Sequence, residues 1–177
     1  MLSRIQLETF AERHIENYRK EAINGASIDI HLGSKIKVEK KPRQGKVISF
    51  SNRDPLVMLD RYLNDDGYTI EPGEAILAQT QEVFNMPLDV SALYVCKSSM
   101  ARIFLNHLNA GFADAGWNGS VLTLELVNVS RFHPINIKPG DAIGQMLFFD
   151  HIEVPKELSY AVVGRYNGDK SVSGIKE

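Results

Sequence analysis

The stretch TIEPGEAI (Thr69–Ile76) returns later in the chain as NIKPGDAI (Asn136–Ile143), so Ile-x-Pro-Gly-acid-Ala-Ile occurs twice. Proline followed by glycine suits the two central positions of a type II turn, because the second requires positive φ. Each copy therefore predicts a strand–turn–strand corner. Convergent turn chemistry and a true internal repeat would both produce the echo. Either way, two such corners and many short β-rich runs predict a mainly β chain. Its expected architecture is a distorted β-barrel or jelly roll with an N-terminal helix and one short internal helix.

The helix is read from Ser3 and Gln6, which form a capping box, and from Leu7, Phe10, Ala11, His14 and Tyr18 on one helical face. After the Asn24-Gly25 turn signal, SIDIHL alternates. Ile28, Ile30 and Leu32 fall on one side, with Ser27, Asp29 and His31 on the other, predicting a half-buried strand that Gly33 closes. Residues 34 to 66 are charged and poorly periodic and read as an irregular excursion with short strands. Ser98–Leu108 lacks strand alternation and carries good helix formers, so the internal helix is expected there. Residues 1–177 read as one domain, with 159–177 a flexible Gly- and Ser-rich tail. Tyr160, Arg165 and Tyr166 in that tail suit stacking on, and pairing with, an anionic aromatic ligand.

Composition narrows the class. A chain of 177 residues, 44% hydrophobic with a formal charge of -2, has no excess charge to recruit a nucleic-acid polymer or a membrane surface. The first residues, MLSRIQLETFAERH, mix charges throughout and do not read as a signal peptide, and no apolar run approaches the roughly 20 residues of a membrane span, so a cytoplasmic location is expected. The single cysteine, Cys96, rules out an internal disulfide framework. It also leaves no ligand set for zinc, since the five histidines are scattered. His-Ile-Glu at His14 and His151 lacks the Pro-Cys-x-x-Cys partner of zinc deaminases.

Three places carry candidate chemistry. In SVLTLELVNV, Leu122, Leu124 and Leu126 share one face, while Val121, Thr123, Glu125 and Val127 share the other. Glu125 is then either a solvent-facing glutamate or a partly buried general base at the mouth of a pocket. Asp114, in ADAGWNG, reads equally as an Asx-type turn before a strand and as a group that bonds a sugar hydroxyl or orients a water. Trp117 reads as core or interface packing, and Asn118-Gly119 as a hairpin signal. KSSMAR (Lys97 to Arg102) sets two serines between two cations at a loop-to-helix junction. That is either an oxyanion site or a serine-capped helix with solvated cations.

Taken in order, these segments resemble the dCTP deaminases of the trimeric dUTPase superfamily over most of the chain. INGASIDIHLG, IEPGEAILAQTQEVFNMP, KSSMAR, NAGFADAGWNGSVLTLELVN, GDAIGQMLF and GRYNGDK are each similar to a block of that family. The resemblance implies a dUTPase-like barrel acting as a homotrimer on dCTP, with sites between subunits. It implies that Glu125 is the catalytic base, with Ser98 and the Ala110 carbonyl orienting water and the exocyclic amine. Lys97, Ser98, Ser99, Met100, Ala101 and Arg102 fall in the phosphate-binding block. Asp114 would sit by the deoxyribose, Thr123 and Leu124 would be among the substrate-binding residues, and Gln145, Tyr160 and Arg165 would lie against base or phosphates. Magnesium is implied as a cofactor carried on the triphosphate, with no metal ligand from the protein and no zinc.

The implied reaction gives dUTP and ammonia, and NAGFADAG leans towards members that continue to dUMP and pyrophosphate. A dUTPase-type phosphohydrolase and a non-catalytic nucleotide-binding regulator are the alternatives on the same fold. Three departures stand out. Lys97 replaces the usual arginine, Asp169 replaces a glutamine in the closing motif, and the Arg102–His107 loop is one residue shorter.

Overall fold

The computed structural model describes residues 1–42, 44–45 and 47–176. Arg43 and Lys46, within the expected excursion, and Glu177, at the end of the tail, lie outside the described residues. In chain order the elements are α1 (Arg4–His14), β1 (Ile15–Glu16), β2 (Ile28–Glu39), β3 (Met58–Tyr62), β4 (Tyr68–Ile70) and β5 (Ala75–Asn85). They continue with β6 (Val90–Cys96), α2 (Ser98–Arg102), β7 (Leu105–His107), β8 (Phe112–Ala113) and β9 (Asn118–Asn128). The last are β10 (Ile135–Ile137), β11 (Ala142–Asp150) and α3 (Tyr160–Val163).

The chain is mainly β. Among the described residues, nine strands form one curled sheet whose central path runs β7-β9-β5-β2-β11-β6-β8, with β1 on β5 and β3 on β2. The pairings are antiparallel. β4 and β10 form a separate two-stranded sheet.

The two echoed segments make that small sheet, and their turns have the same construction. Gly73 and Gly140 take φ of 82° and 87°. The residue after each glycine donates its N–H back across the turn, Glu74 to the Glu71 carbonyl (2.9 Å) and Asp141 to the Lys138 carbonyl (3.1 Å). The acid that follows each Pro-Gly then accepts the N–H of the turn's first residue, Glu71 N–H to Glu74 Oε2 and Lys138 N–H to Asp141 Oδ2, both at 2.8 Å. This explains why Pro, Gly and an acid recur together: one fixes φ, one permits positive φ, and one satisfies the remaining donor.

Leu122, Leu124 and Leu126 of β9 pack inward with Phe84, Phe148, Ile28 and Ile30. α1 closes one end of the curl with Leu7, Phe10 and Ala11, and the Phe10 ring lies 4.9 Å from that of Phe148. The Gln6 side chain accepts the Ser3 backbone N–H at 3.0 Å, closing the helix start.

Several local expectations are corrected. β2 does not stop at Gly33 but runs to Glu39, because the absent Cβ there lets β5 come close: a Cβ would lie 2.9 Å from the Thr80 carbonyl oxygen. His31, expected on the exposed side of that strand, is buried against Glu82. The internal helix is only the five residues of α2, with Lys97 rather than a serine at its N-cap. Phe104 then takes φ of 63°, and Leu105–His107 becomes strand β7 along β9. Asn118-Gly119 is not a hairpin turn but opens β9 at an irregularity opposite Asn85. α3 adds a second short helix after the barrel.

β5 breaks register between its two neighbours. Three of its residues, Thr80 to Glu82, face only Leu122 of β9, and the β2 pairing shifts at the same level. Side chains replace the lost ladder bonds. Leu122 N–H donates to Thr80 Oγ1 (3.0 Å), and Thr80 Oγ1 donates to the Glu82 carbonyl (2.8 Å). The Glu82 carboxylate accepts His31 N–H (3.1 and 3.2 Å) and lies 2.7 Å from His31 Nδ1. Thr80→Val keeps the shape but strands the buried Leu122 donor, so urea denaturation should show a loss of about 2 kcal/mol. A loss below about 0.5 kcal/mol would show that the hydroxyl does not substitute for the ladder.

Candidate functional site

β9 carries the site because its alternation sends the leucines inward and Thr123 and Glu125 outward. Those two side chains form one wall of a cleft of about 350 Å³, within the range of small-ligand sites. Leu77, opposite Glu125 on β5, adds apolar surface. Ala110 and Asp114, from the segment between β7 and β9, line another side. Asp114 opens a turn whose Gly116 has φ of 83°, and its carbonyl accepts Trp117 N–H at 3.2 Å. Trp117 is buried, stacked on Phe84 with ring centroids 5.6 Å apart.

The C-terminal segment covers the cleft. Trp117 Nε1 donates to the Tyr166 carbonyl (3.0 Å), Val121 N–H to the Asp169 carbonyl (2.8 Å), and Val172 is buried. Tyr160, Tyr166, Asp169 and Ile175 thereby become lining residues. Burial raises the Tyr160 phenol above its usual pKa, so it stays a protonated donor at neutral pH. Asp169 is answered within the tail: Lys176 pairs with it, and Ser173 Oγ donates to its Oδ2 at 2.8 Å.

Glu125 has a neighbour that sequence reading missed. His107, on β7, is 1% exposed at its side chain, and its Nε2 lies 3.1 Å from Glu125 Oε2. Asn109 N–H donates to His107 Nδ1 (3.1 Å), so a neutral ring carries its proton on Nε2, facing the carboxylate. The contact is short but bent away from hydrogen-bond alignment, and neither atom has another partner among the described residues. One Glu125 oxygen is thus buried beside His107, while 27% of the side chain remains exposed. No motif spacing links His107 to Glu125; its one signal is a histidine alternating with Leu105 just after KSSMAR.

The remaining expected site residues lie elsewhere. Ser98, Ser99, Ala101 and Arg102 are exposed on α2, Met100 is buried beneath them, and none lines the cleft. Lys97 is paired with Asp29 of β2. Gln145 sits opposite Asp29 across the sheet and accepts from Ser27 Oγ at 3.1 Å. The Leu124 side chain belongs to the core, on the opposite face of β9. Arg165 lines an adjoining hollow rather than the cleft itself. The chain therefore holds a carboxylate wall and, separately, a serine–arginine wall.

Among the described residues, no group of three or more His, Cys, Asp or Glu side chains is arranged to hold a metal ion. No helix among the described residues is long and apolar enough to cross a membrane.

A dCTP deaminase-like family model matches residues 2–151. A dUMP-forming dCTP deaminase of Methanopyrus kandleri is 34% identical over 168 residues, 91% of this chain and 83% of that one. One from Nocardioides is 33% identical over 160 residues, covering 88% and 82%. Among solved structures, the 2'-deoxycytidine 5'-triphosphate deaminase of Agrobacterium tumefaciens aligns with a TM-score of 0.63 at 25% identity, over 83% of this chain and 47% of that one. This chain thus spans less than half of that structure's length. A Streptococcus mutans dUTPase aligns with a TM-score of 0.51 at 14% identity, over 78% and 88%, and shares the fold.

A double-mutant cycle of His107→Phe and Glu125→Gln, read by urea denaturation, should give a coupling of about 1 kcal/mol. A coupling indistinguishable from zero would show that the histidine merely fills space.

Proposed function

The chain belongs to the dCTP deaminase-like family, and on that premise we propose that it hydrolyses dCTP at C4 and carries the product on to dUMP. The observation that carries this reading is Glu125, a half-buried carboxylate with one oxygen 3.1 Å from buried His107 and set in the wall of a mostly apolar cleft. Such a group can take a proton from a water that attacks C4 of cytosine. A C4–O bond forms and the C4–N bond breaks. The proton passes through Glu125 to the departing amine, leaving uracil and ammonia. The Ala110 carbonyl and a Ser98 hydroxyl orient the water and the exocyclic amine, and Thr123 lies beside the base. Asp114 faces the deoxyribose and helps to activate the second water, which splits dUTP into dUMP and pyrophosphate. Tyr160 donates to the anionic part of the ligand. The step to dUMP is supported by the relatives, which are named dUMP-forming.

The separation of the two walls supports a shared site. α2 of one copy, with Ser98, Ser99 and Arg102, would supply phosphate contacts to the Glu125 cleft of another in a closed homotrimer. Lys97 and Gln145 would act beside α2, Lys97 by adding charge while it holds Asp29. Magnesium, bound through the triphosphate, would screen its charge from Asp114 and Asp169.

Incubation with dCTP and magnesium, resolved by anion exchange, should yield dUMP and ammonia without accumulating dUTP. Glu125→Gln should slow ammonia release by about 10²-fold or more while retaining nucleotide binding. Deamination near the parental rate in that variant would falsify the assignment. Mixing Glu125→Gln chains with Arg102→Ala chains under subunit exchange should restore activity that neither has alone. Absence of restoration would place both groups in one chain's site.

A further inference from the structure

The cleft that holds Glu125 does not end at the tail. Tyr166 and Ile175 line it and also line a second hollow of about 320 Å³, whose other walls are Phe50, Ser51, Arg53 and Arg165. The two hollows have opposite electrostatic character. Among the described residues, the first presents Asp114, Glu125 and Asp169 and no lysine or arginine. Among the described residues, the second presents two guanidinium groups and no carboxylate. A ligand with an uncharged ring at one end and a polyanion at the other would be sorted by that difference: the ring towards Glu125, the anion past Tyr166.

Arg53 is held in place by a small closed loop. Asp54 N–H donates to the Ser49 carbonyl (3.1 Å), Ser49 N–H to Asp54 Oδ2 (3.1 Å), and Arg53 N–H to the Phe50 carbonyl (3.0 Å). Arg53 sits at φ of 52°, uncommon for a residue with a Cβ and the kind of strain that gathers at ligand sites. Its guanidinium donates to the Lys176 carbonyl (3.2 Å), and the Lys176 ammonium donates to the Arg165 carbonyl (3.2 Å). The loop is thus fastened to the segment that carries the second arginine. Neither guanidinium has a carboxylate partner among the described residues. Lys176, in contrast, is engaged by Asp169.

We propose that Arg53, together with Arg165, forms an oligophosphate subsite at the far end of the Glu125 cleft. This rests on the nucleotide reading above and adds to it a residue from the loop between β2 and β3. A forked guanidinium can grip two phosphate oxygens at once. The subsite also gives Asp169 a role. Its charge is balanced by Lys176, whose carbonyl ties Arg53 in, so a carboxylate in the closing motif helps assemble the cationic end. Serines and Arg102 from a second copy's α2 would then face Arg53 and Arg165 across one triphosphate.

The test uses inorganic tripolyphosphate as the probe, titrated calorimetrically into the full chain and into Arg53→Gln and Arg53→Lys variants. Circular dichroism confirms that each is folded. Arg53→Gln removes the charge and the reach to the Lys176 carbonyl, and should weaken tripolyphosphate binding about tenfold. Arg53→Lys should recover part of the loss. With dCTP as substrate, Arg53→Gln should raise KM with kcat nearly unchanged. Equal tripolyphosphate affinity in the parent and Arg53→Gln, or no binding by the parent, overturns the subsite. Arg53-dependent tripolyphosphate binding by a protein that leaves dCTP intact would support the subsite and sink the deaminase reading alone.

Discussion

The break in β5 is where the architecture is decided. Backbone donors of β2 and β9 that lose their ladder partners there are taken up by two side chains, Thr80 and Glu82. Burial pushes the Glu82 carboxyl up from its usual pKa, and the donors from His31 oppose that rise. A carboxylate in this interior is tolerated only because backbone and imidazole donors surround it. The break fixes the register of β9 against β5, and a one-residue slip would exchange the faces of β9. The leucines would then point at the cleft, and Glu125 into the core. The placement of the cleft's side chains therefore depends on a polar cluster that does not line the cleft.

The charges of the molecule follow a similar economy. Asp29 engages Lys97, Lys176 engages Asp169, and His107 faces Glu125, so most groups near the sites already have a counterpart. Arg102 on α2, and Arg53 and Arg165 beyond Tyr166, are among the groups without an ion-pair partner among the described residues. Cations left without carboxylates at the margin of an acidic cleft are what a polyanionic ligand with a neutral head requires.

Much of this was legible in the sequence where the determining physics is local. The paired Pro-Gly-acid corners specify their own hydrogen bonds, and the alternation of β9 separates core leucines from Glu125 without reference to any other strand. The family blocks extended that to the cleft side chains Ala110, Asp114 and Tyr160. Reading failed where distant contacts decide. Gly33 looks like a terminator but permits a close crossing with β5. Residues 105–107 look helical, yet the positive φ of Phe104 ends the helix and the open edge of β9 draws them into a strand. His31 and His107 look like scattered polar residues, and only the fold gives each a carboxylate. Nothing in the irregular run before β3 marks Arg53.

Trp117 is the chain's only tryptophan, and its indole lies where three parts of the molecule meet. It stacks on Phe84 of β5, lines the cleft, and donates its one N–H to the backbone of the C-terminal segment. Indole emission responds to hydrogen bonding and to water at the ring, so departure of that segment would alter both at once. The protein therefore carries an intrinsic optical reporter of whether its site is covered, readable without a label and separable from turnover.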